Sequence, residues 1–325
     1  MKRIVSLWLM LTLLLGLCSC ASPSVEQSDD RLHIVCTIFP LYDWTREVLG
    51  ARAADVELTL LLDNGTDLHS FQPSADDIVT ISECDLFIYV GGESDDWVTD
   101  TLKEARNQTM TVLNVMDFLG SAVKEEEEAE GMEPTHEDHE DGPEYDEHVW
   151  LSLRNADLVC EELADLLSEL LPANDNLFHR NTDAYQAKLD ELDTRYRDAA
   201  DAAPLDTLLF GDRFPFRYLT DDYGLNYYAA FSGCSAETEA SFETVVFLAN
   251  KIDELGLGVI LQTESSDGSI ADTIRQATAT GDQQILTLDS MQSITARQIT
   301  DGVTYLDIME QNLAVLSQAL NTASN

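Results

Sequence analysis

Short apolar segments alternate with helix-like segments along most of this chain, and that alternation limits the folds it can adopt. Residues 32–39, 56–62 and 84–90 are rich in β-branched and apolar side chains, and each is followed by a stretch with helical spacing. Strands separated by helices pair in parallel, and a parallel sheet has to be covered on both faces. We therefore predict an α/β fold built on parallel sheets.

A long helical stretch interrupts the alternation in the middle of the chain. Residues 155–171 and 174–202 have helical spacing, with a break near Pro172. Asn155 and Asn174 stand where N-caps are expected, because their short polar side chains can accept a backbone hydrogen bond. This stretch predicts a long helical backbone.

The alternation returns beyond this backbone. Strand-like and helix-like segments follow one another through residues 206–288, and a last helix is predicted for residues 302–320. The simplest assembly is two parallel-sheet α/β lobes, residues 31–154 and 204–325, joined by residues 155–203. Ligands of open parallel sheets gather at the carboxyl ends of strands, so we expect the functional site in the cleft between the lobes.

The charge balance narrows the possible partners. The chain has 18 Lys and Arg against 61 Asp and Glu, a formal net charge of -43. Such a surface repels nucleic acid and anionic membranes and favours cationic partners or simple solubility, so we expect no nucleic-acid partner. Residues 124–147 concentrate the acidic side chains and have few apolar ones, which predicts a mobile loop within the first lobe.

The N-terminus predicts export. Two basic residues precede an apolar run, residues 5–17, which is too short to span a bilayer comfortably and is placed like a secretory signal. The run ends in Leu-Cys-Ser-Cys, which resembles the lipobox of bacterial lipoproteins and makes Cys20 the candidate lipidation site. An ordinary cleaved signal is the alternative. We expect a signal peptide at residues 1–20, a flexible linker at residues 21–30 and an extracytoplasmic, lipid-anchored protein.

Four cysteines lie beyond the signal: Cys36, Cys84, Cys160 and Cys234. None belongs to a CxxC pair, which gives no support to a thiolate zinc site. We expect small buried residues, and export leaves a disulfide open.

Three residues outside the cysteines have the chemistry and the placement of metal ligands. His69 lies in the Gly- and Pro-containing loop after a predicted strand, His148 stands where the acidic segment gives way to apolar residues, and Glu264 directly follows a strand of the second lobe. Two imidazoles and a carboxylate suit Zn²⁺, and Mn²⁺ accepts the same donors with a preference for oxygen.

Motifs along the whole exported chain carry a family resemblance. They are TIFPLYDW (37–44), DLHSFQPSADD (67–77), YVGGESDDW (89–97), DEHVWLSL (146–153), SAETEASF (235–242) and TESSDGSIADTI (263–274). In order and spacing they resemble the metal-binding lipoproteins of zinc and manganese ABC importers. The resemblance implies a metal held between two α/β lobes that one long helix joins.

The resemblance also implies a ligand set and shows one departure from it. His69 and His148 match the first two histidine ligands, and Glu264 matches the acidic ligand of the second lobe. The family's third histidine falls on Arg213, which offers no lone pair. Three outcomes are open: Asp212 fills the position, water completes the shell, or Arg213 pairs with Glu264 and alters the site.

The acidic segment contains two further histidines, His136 and His139. They either form an accessory site that collects metal, as the resemblance implies for zinc-selective members, or are incidental residues of a solvated loop. His33 and His179 receive no role.

These observations favour a monomeric, non-enzymatic receptor that captures Zn²⁺, or Mn²⁺, and delivers it to an ABC permease. A zinc-dependent hydrolase is the first alternative, since two histidines, a carboxylate and water also describe a catalytic site, but the chain has no HExxH motif. A surface adhesin that uses the lipid anchor and the acidic face is the second.

Overall fold

Two four-stranded parallel sheets form the frame of the molecule, which confirms the predicted α/β fold. The computed structural model describes residues 31–127, 129–133, 144–235 and 239–324. The first sheet has the order β2-β1-β3-β4 and the second the order β6-β5-β7-β8. The strands are β1 (His33–Cys36), β2 (Glu57–Leu60), β3 (Leu86–Tyr89), β4 (Thr111–Asn114), β5 (Thr207–Phe214), β6 (Asn226–Ser232), β7 (Val259–Gln262) and β8 (Gln284–Thr287).

Helices connect the strands and cover the sheets. They are α1 (Phe39–Leu49), α2 (Ala75–Glu83), α3 (Trp97–Lys103), α4 (Val115–Leu119), α5 (Leu153–Leu170), α6 (Asp175–Ala202), α7 (Arg217–Tyr223), α8 (Phe242–Leu255), α9 (Ser269–Ala277), α10 (Ala296–Thr300) and α11 (Tyr305–Asn321). Within the residues that the structure describes, no helix is long and apolar enough to cross a membrane.

The strand order places a crevice in each sheet. The first strand of each sheet, β1 or β5, lies between two later strands, so the chain leaves it first to one side and then to the other. Loops that diverge at such a switch point open a crevice at the carboxyl ends of the strands, where ligands of α/β proteins bind. The interior strand β3 is buried on both faces, since its successive residues Leu86, Phe87 and Ile88 are all fully inaccessible.

Helix α6 joins the two halves. Its 28 residues span roughly 42 Å, and its buried face consists of Phe178, Thr182, Tyr185, Leu189, Leu192 and Tyr196. Asn181 donates to the carbonyl of Val48 at the end of α1 (2.8 Å), and Tyr196 donates to that of Met309 in α11 (2.6 Å). One apolar cluster includes residues of both sheets, and a smaller one lies beneath α8. Because the halves share a core, a wide hinge opening would expose apolar surface.

Helix α5 begins earlier than its sequence suggests. Its N-cap is Ser152, whose hydroxyl accepts from the backbone N–H of Asn155 (3.2 Å), so the prediction of Asn155 as N-cap is wrong. The same hydroxyl donates to Asp222 of the second half (2.6 Å). A serine thus caps the helix and ties its start across the molecule. Asn174, at the start of α6, makes no side-chain capping hydrogen bond.

Candidate metal centre

His69 is presented by a tight turn after β2. The Asp67 side chain accepts from the backbone N–H of His69 (3.0 Å) and starts a short 3-10 helix, Leu68–Ser70, whose Leu68 is buried. This turn fixes the backbone on both sides of the histidine. The imidazole Nδ1 lies 2.8 Å from the hydroxyl of Ser94, so its Nε2 is the nitrogen left for a ligand.

His148 is fixed more completely. The Asp146 carboxylate accepts from its backbone N–H (2.8 Å) and from its ring Nδ1 (2.9 Å), and both side chains are almost inaccessible. Tyr218 of the second half donates to the carbonyl of Asp146 (2.7 Å). A carboxylate is only an acceptor, so the hydrogen of the His148 ring lies on Nδ1 and the lone pair on Nε2.

The two remaining ring nitrogens face each other, since Nε2 of His69 lies 3.2 Å from Nε2 of His148, within hydrogen-bond distance. Two nitrogens that bind one tetrahedral Zn²⁺ at ~2.0 Å lie ~3.3 Å apart. The imidazoles therefore already have the spacing of a shared metal ligand pair.

Electrostatics keep one imidazole of this pair neutral. Burial and the neighbouring His148 lower the pKa of His69 to about 3. Burial alone would lower the pKa of His148 as well, but the Asp146 carboxylate against its ring raises it above the ordinary value. The pair thus has at most one proton to give up when a cation enters.

A cysteine joins the two histidines. Cys234 follows β6, and its Sγ and one ring nitrogen each of His69 and His148 lie within 4.8 Å of one another. From the sequence we predict a small buried residue at Cys234, and its place beside the two histidines is not expected from that prediction. The available signal was its place, directly after a strand of the second lobe, which was the reason for choosing Glu264.

Asp212 and Glu264 do not join this group in the structure. One oxygen of Asp212 accepts from the N–H and the hydroxyl of Thr263 (2.8 and 2.7 Å), and the other from the N–H of Arg213 (2.8 Å). Glu264 accepts from the N–H and hydroxyl of Ser290 and from the 292–293 segment. Both carboxylates hold neighbouring loops, so either would have to give up hydrogen bonds to reach a metal.

Arg213 does not pair with Glu264, which was the third predicted outcome. Its guanidinium donates to the carboxylate of Asp67 (2.7 Å), the residue that shapes the His69 turn, and its nearest other partner is the Ser265 hydroxyl at 3.5 Å. A pair between Arg213 and Glu264 is therefore not what the structure contains. The arginine instead links the second lobe to the histidine loop of the first.

A carboxylate-lined cavity opens beside His69. It measures about 210 Å³ and is lined by His69, Cys234, Glu93, Ser94, Glu126, Glu144, Tyr145 and Glu147. Glu147 accepts from the N–H of Ser94 (2.8 Å), while its Oε2 has no hydrogen-bond partner and lies 3.7 Å from Nδ1 of His69. Burial raises the pKa of Glu147. The negative lining favours entry of a cation.

Several predicted features fall outside the described residues, namely the signal peptide, the linker, Cys20, His136 and His139. The described ends of the acidic segment make defined contacts. Glu125 forms a bridge with Tyr145, and the N–H of Glu133 donates to the carbonyl of Ala230 in β6 (2.9 Å).

The remaining cysteines and histidines lie away from the centre. Cys36, Cys84 and Cys160 are buried, and all four described cysteines are free thiols. His33 lies 3.4 Å from Glu57. His179 lies with the exposed Glu161 and Asp165 in a second group of potential donors on the surface of α5 and α6.

Comparison of sequences places these observations among known proteins. The profile of the family described as zinc-uptake complex component A, periplasmic (ZnuA), matches residues 34–319. The chain is 31% identical over 313 residues to the zinc-binding lipoprotein AdcA of Streptococcus pneumoniae, covering 95% of this chain and 60% of AdcA. It is 27% identical over 297 residues to the high-affinity zinc uptake system protein ZnuA of Bacillus subtilis, covering 91% and 90%. The chain thus spans about three fifths of its streptococcal relatives.

Solved structures share the fold. The Zn(II)-bound ZnuA-like domain of Streptococcus pneumoniae AdcA superposes with a TM-score of 0.70 at 26% identity, covering 90% of this chain and 100% of that domain. The periplasmic zinc-binding protein TroA of Treponema pallidum gives 0.72 at 23% identity, with 90% and 100% covered, which is a likeness of fold.

Proposed function

Because the chain belongs to the zinc-uptake complex component A family, as its motifs indicate, we propose that it is an extracytoplasmic receptor that captures Zn²⁺ and delivers it to the permease of an ABC importer. The proposal includes lipidation at Cys20 as the membrane attachment. It treats the ion as transported cargo and the protein as a binder rather than an enzyme.

One observation carries the proposal: the Nε2 atoms of His69 and His148 lie 3.2 Å apart while both Nδ1 atoms are engaged elsewhere. His148 is fully buried and His69 partly buried, and two imidazole nitrogens that face each other at this distance need a proton or a metal between them. Neutral imidazole is a good ligand for Zn²⁺, whereas Mn²⁺ prefers oxygen. We therefore propose Zn²⁺ as the cargo, with Mn²⁺ as the weaker competitor.

Isothermal titration of the exported chain with Zn²⁺ tests this function. We expect one tight site in the wild type and its loss in His69→Ala. His33→Ala is the matched control, because His33 is an imidazole of the same lobe that contacts Glu57 instead of the centre. Unchanged affinity in His69→Ala would refute the assignment. His179→Ala reports any weak binding at the surface group of α5 and α6.

Asp212 and Glu264 stay candidate ligands within this proposal. Asp212→Asn and Glu264→Gln keep the size of each side chain and remove its charge. If the carboxylate is a metal ligand, its replacement weakens Zn²⁺ binding strongly. If the carboxylate only anchors a loop, its replacement lowers thermal stability and leaves the Zn²⁺ affinity nearly unchanged. Isothermal titration with Zn²⁺ and thermal unfolding of the same two variants distinguish the two roles.

His136 and His139 are proposed as an accessory collection point. Deletion of residues 134–143 should leave equilibrium affinity at the centre unchanged and slow Zn²⁺ capture at low concentration. Equal capture rates measured by stopped flow would contradict an accessory role.

The two alternative functions make different predictions. A hydrolase would show turnover that a chelator abolishes, and a screen of ester, peptide and phosphate substrates with and without chelator tests for it. An adhesin would bind an envelope or host partner equally well with and without metal.

A further inference from the structure

We propose that Cys234 is the third metal ligand, bound as a thiolate, and that it replaces the imidazole that Arg213 cannot supply. The inference rests on the proposed metal capture and specifies the site that performs it. It assigns a donor to a position of the shell that the sequence argument left to Asp212 or water.

The first support is the distance between the donor atoms. The Cys234 Sγ lies within 4.8 Å of a ring nitrogen of each histidine. A tetrahedral Zn²⁺ with bonds of ~2.3 Å to sulfur and ~2.0 Å to nitrogen holds the two atoms ~3.5 Å apart. A movement of the thiol by no more than ~1.3 Å would therefore bring it to the spacing of a two-histidine, one-cysteine site.

The second support is the loop that carries the thiol. Gly233 lets the loop pass against His148, because a Cβ there would lie 2.9 Å from the carbonyl oxygen of Phe214 and 3.0 Å from Cε1 of His148. The Glu126 carboxylate accepts from the N–H of Cys234 (3.3 Å) and holds the residue at the cavity. A close approach that only glycine allows thus places the thiol beside the imidazole.

The third support is the contrast with the other cysteines. Cys36, Cys84 and Cys160 are fully buried among apolar residues of the core, and the Cys36 thiol makes a hydrogen bond with the Thr45 hydroxyl at 3.8 Å. Cys234 is partly accessible and lines the acidic cavity together with His69. Among the described cysteines it is the one that meets both imidazoles and a path for a cation.

A thiolate ligand has consequences for the cargo. Binding replaces the proton of the thiol by the metal and releases that proton to the solvent. Soft sulfur favours Zn²⁺ over Mn²⁺, so the substitution of a cysteine for a histidine would sharpen the preference for zinc. The fourth position remains for water or one carboxylate.

Cobalt provides the direct test, because Co²⁺ bound to a thiolate gives a charge-transfer absorption in the near ultraviolet and Co²⁺ bound to imidazole and oxygen alone does not. The exported chain loaded with Co²⁺ is expected to show this absorption, Cys234→Ser to lose it, and Cys160→Ala, a buried control, to keep it. Zn²⁺ affinity of Cys234→Ser should fall at least ~10-fold, the lower bound for disturbing even the surroundings of a ligand.

The outcomes separate this inference from the proposed function. Visible Co²⁺ bands without a charge-transfer band would overturn the thiolate ligand and leave metal capture intact. No Co²⁺ or Zn²⁺ binding by the wild type would overturn both. Alkylation of the wild type keeps the test decisive if Cys234→Ser does not fold: bound Zn²⁺ should protect Cys234 from iodoacetamide, as read by mass spectrometry, and equal labelling with and without Zn²⁺ would overturn the inference.

Discussion

Replacement of Asp146 by Asn should weaken Zn²⁺ binding although Asp146 is not expected to touch the metal. Its carboxylate accepts the Nδ1–H of His148 at 2.9 Å and the backbone N–H at 2.8 Å, in a site with almost no solvent access. The negative charge makes the imidazole a better donor, and the acceptor-only carboxylate keeps the lone pair on Nε2. An asparagine can at best offer its amide oxygen, which is a weaker acceptor.

The magnitude follows from the loss of such an orienting partner. Removal of a carboxylate behind a ligating histidine costs ~10–100-fold in metal affinity, or ~1.4–2.7 kcal/mol. The loss of Zn²⁺ affinity in Asp146→Asn should depend on pH. Asp146 raises the pKa of His148 against the opposing effect of burial, so the wild type has to expel a proton at low pH, whereas the variant has a His148 that is already neutral. The difference in Zn²⁺ affinity between the variant and the wild type is therefore largest near about pH 8 and shrinks toward about pH 6.

Competition titrations with a fluorescent zinc chelator at both pH values measure this effect. Asp43→Asn is the control, because Asp43 is an equally buried carboxylate that bonds Arg46 and the N–H of Tyr305, away from both histidines. Equal affinities of Asp146→Asn and Asp43→Asn would refute the reasoning. A difference in Zn²⁺ affinity between Asp146→Asn and the wild type that grows as the pH falls would also refute it.

Three further variants test two contacts of the site and the buried carboxylate of Asp95. Arg213→Gln breaks the ion pair with Asp67 and should lower the apo Tm by ~2–4 °C without weakening Zn²⁺ binding, since a positive charge leaves the site; weaker binding in titration would contradict this. Ser94→Ala removes the partner of Nδ1 of His69, a bond worth ~0.5–1.5 kcal/mol, so the Kd should rise no more than ~10-fold; a larger rise than in Asp146→Asn would speak against it. Burial raises the pKa of Asp95 from 3.8 to about 7. The contribution of Asp95 to stability is therefore complete below about pH 4 and is lost as the pH rises through about 7. Asp95→Asn should show a smaller fall in Tm between about pH 5 and pH 8 than the wild type, and an equal fall in both proteins would refute Asp95 as the source of this pH dependence.

Much of the fold and part of the centre could be predicted from local patterns. The alternation of strands and helices predicts the two parallel sheets, because each segment has to bury its own apolar face wherever it packs. The placement of His69 after a strand and of His148 at the edge of the acidic segment pointed to ligands, and the structure brings their Nε2 atoms together. Each of these residues is fixed by a neighbour within two positions, Asp67 or Asp146, and the resemblance of the surrounding motifs to a known family singled both out as ligands.

Contacts between distant residues escaped the sequence argument. Glu264 has the right place after a strand, yet its carboxylate is taken up by Ser290 and the segment that follows. The sequence leaves Glu264 open as a partner of Arg213, and in the structure Arg213 pairs with Asp67, 146 positions away. In both cases the choice between competing polar partners depends on which loop lies nearer, which no spacing along the chain reveals.

The sequence by itself determined the elements, their parallel pairing, the acidic surface and two imidazoles that a metal can share. Periodicity, charge and turn chemistry are properties of neighbours along the chain, so they can be read without coordinates. Only the tertiary structure decided which third donor meets those imidazoles. It brings the thiol of Cys234, from the end of a strand in the second sheet, to within 4.8 Å of both, because Gly233 lets that loop pack against His148. The identity of a shared site depends on packing between lobes, and packing is set by the whole chain at once.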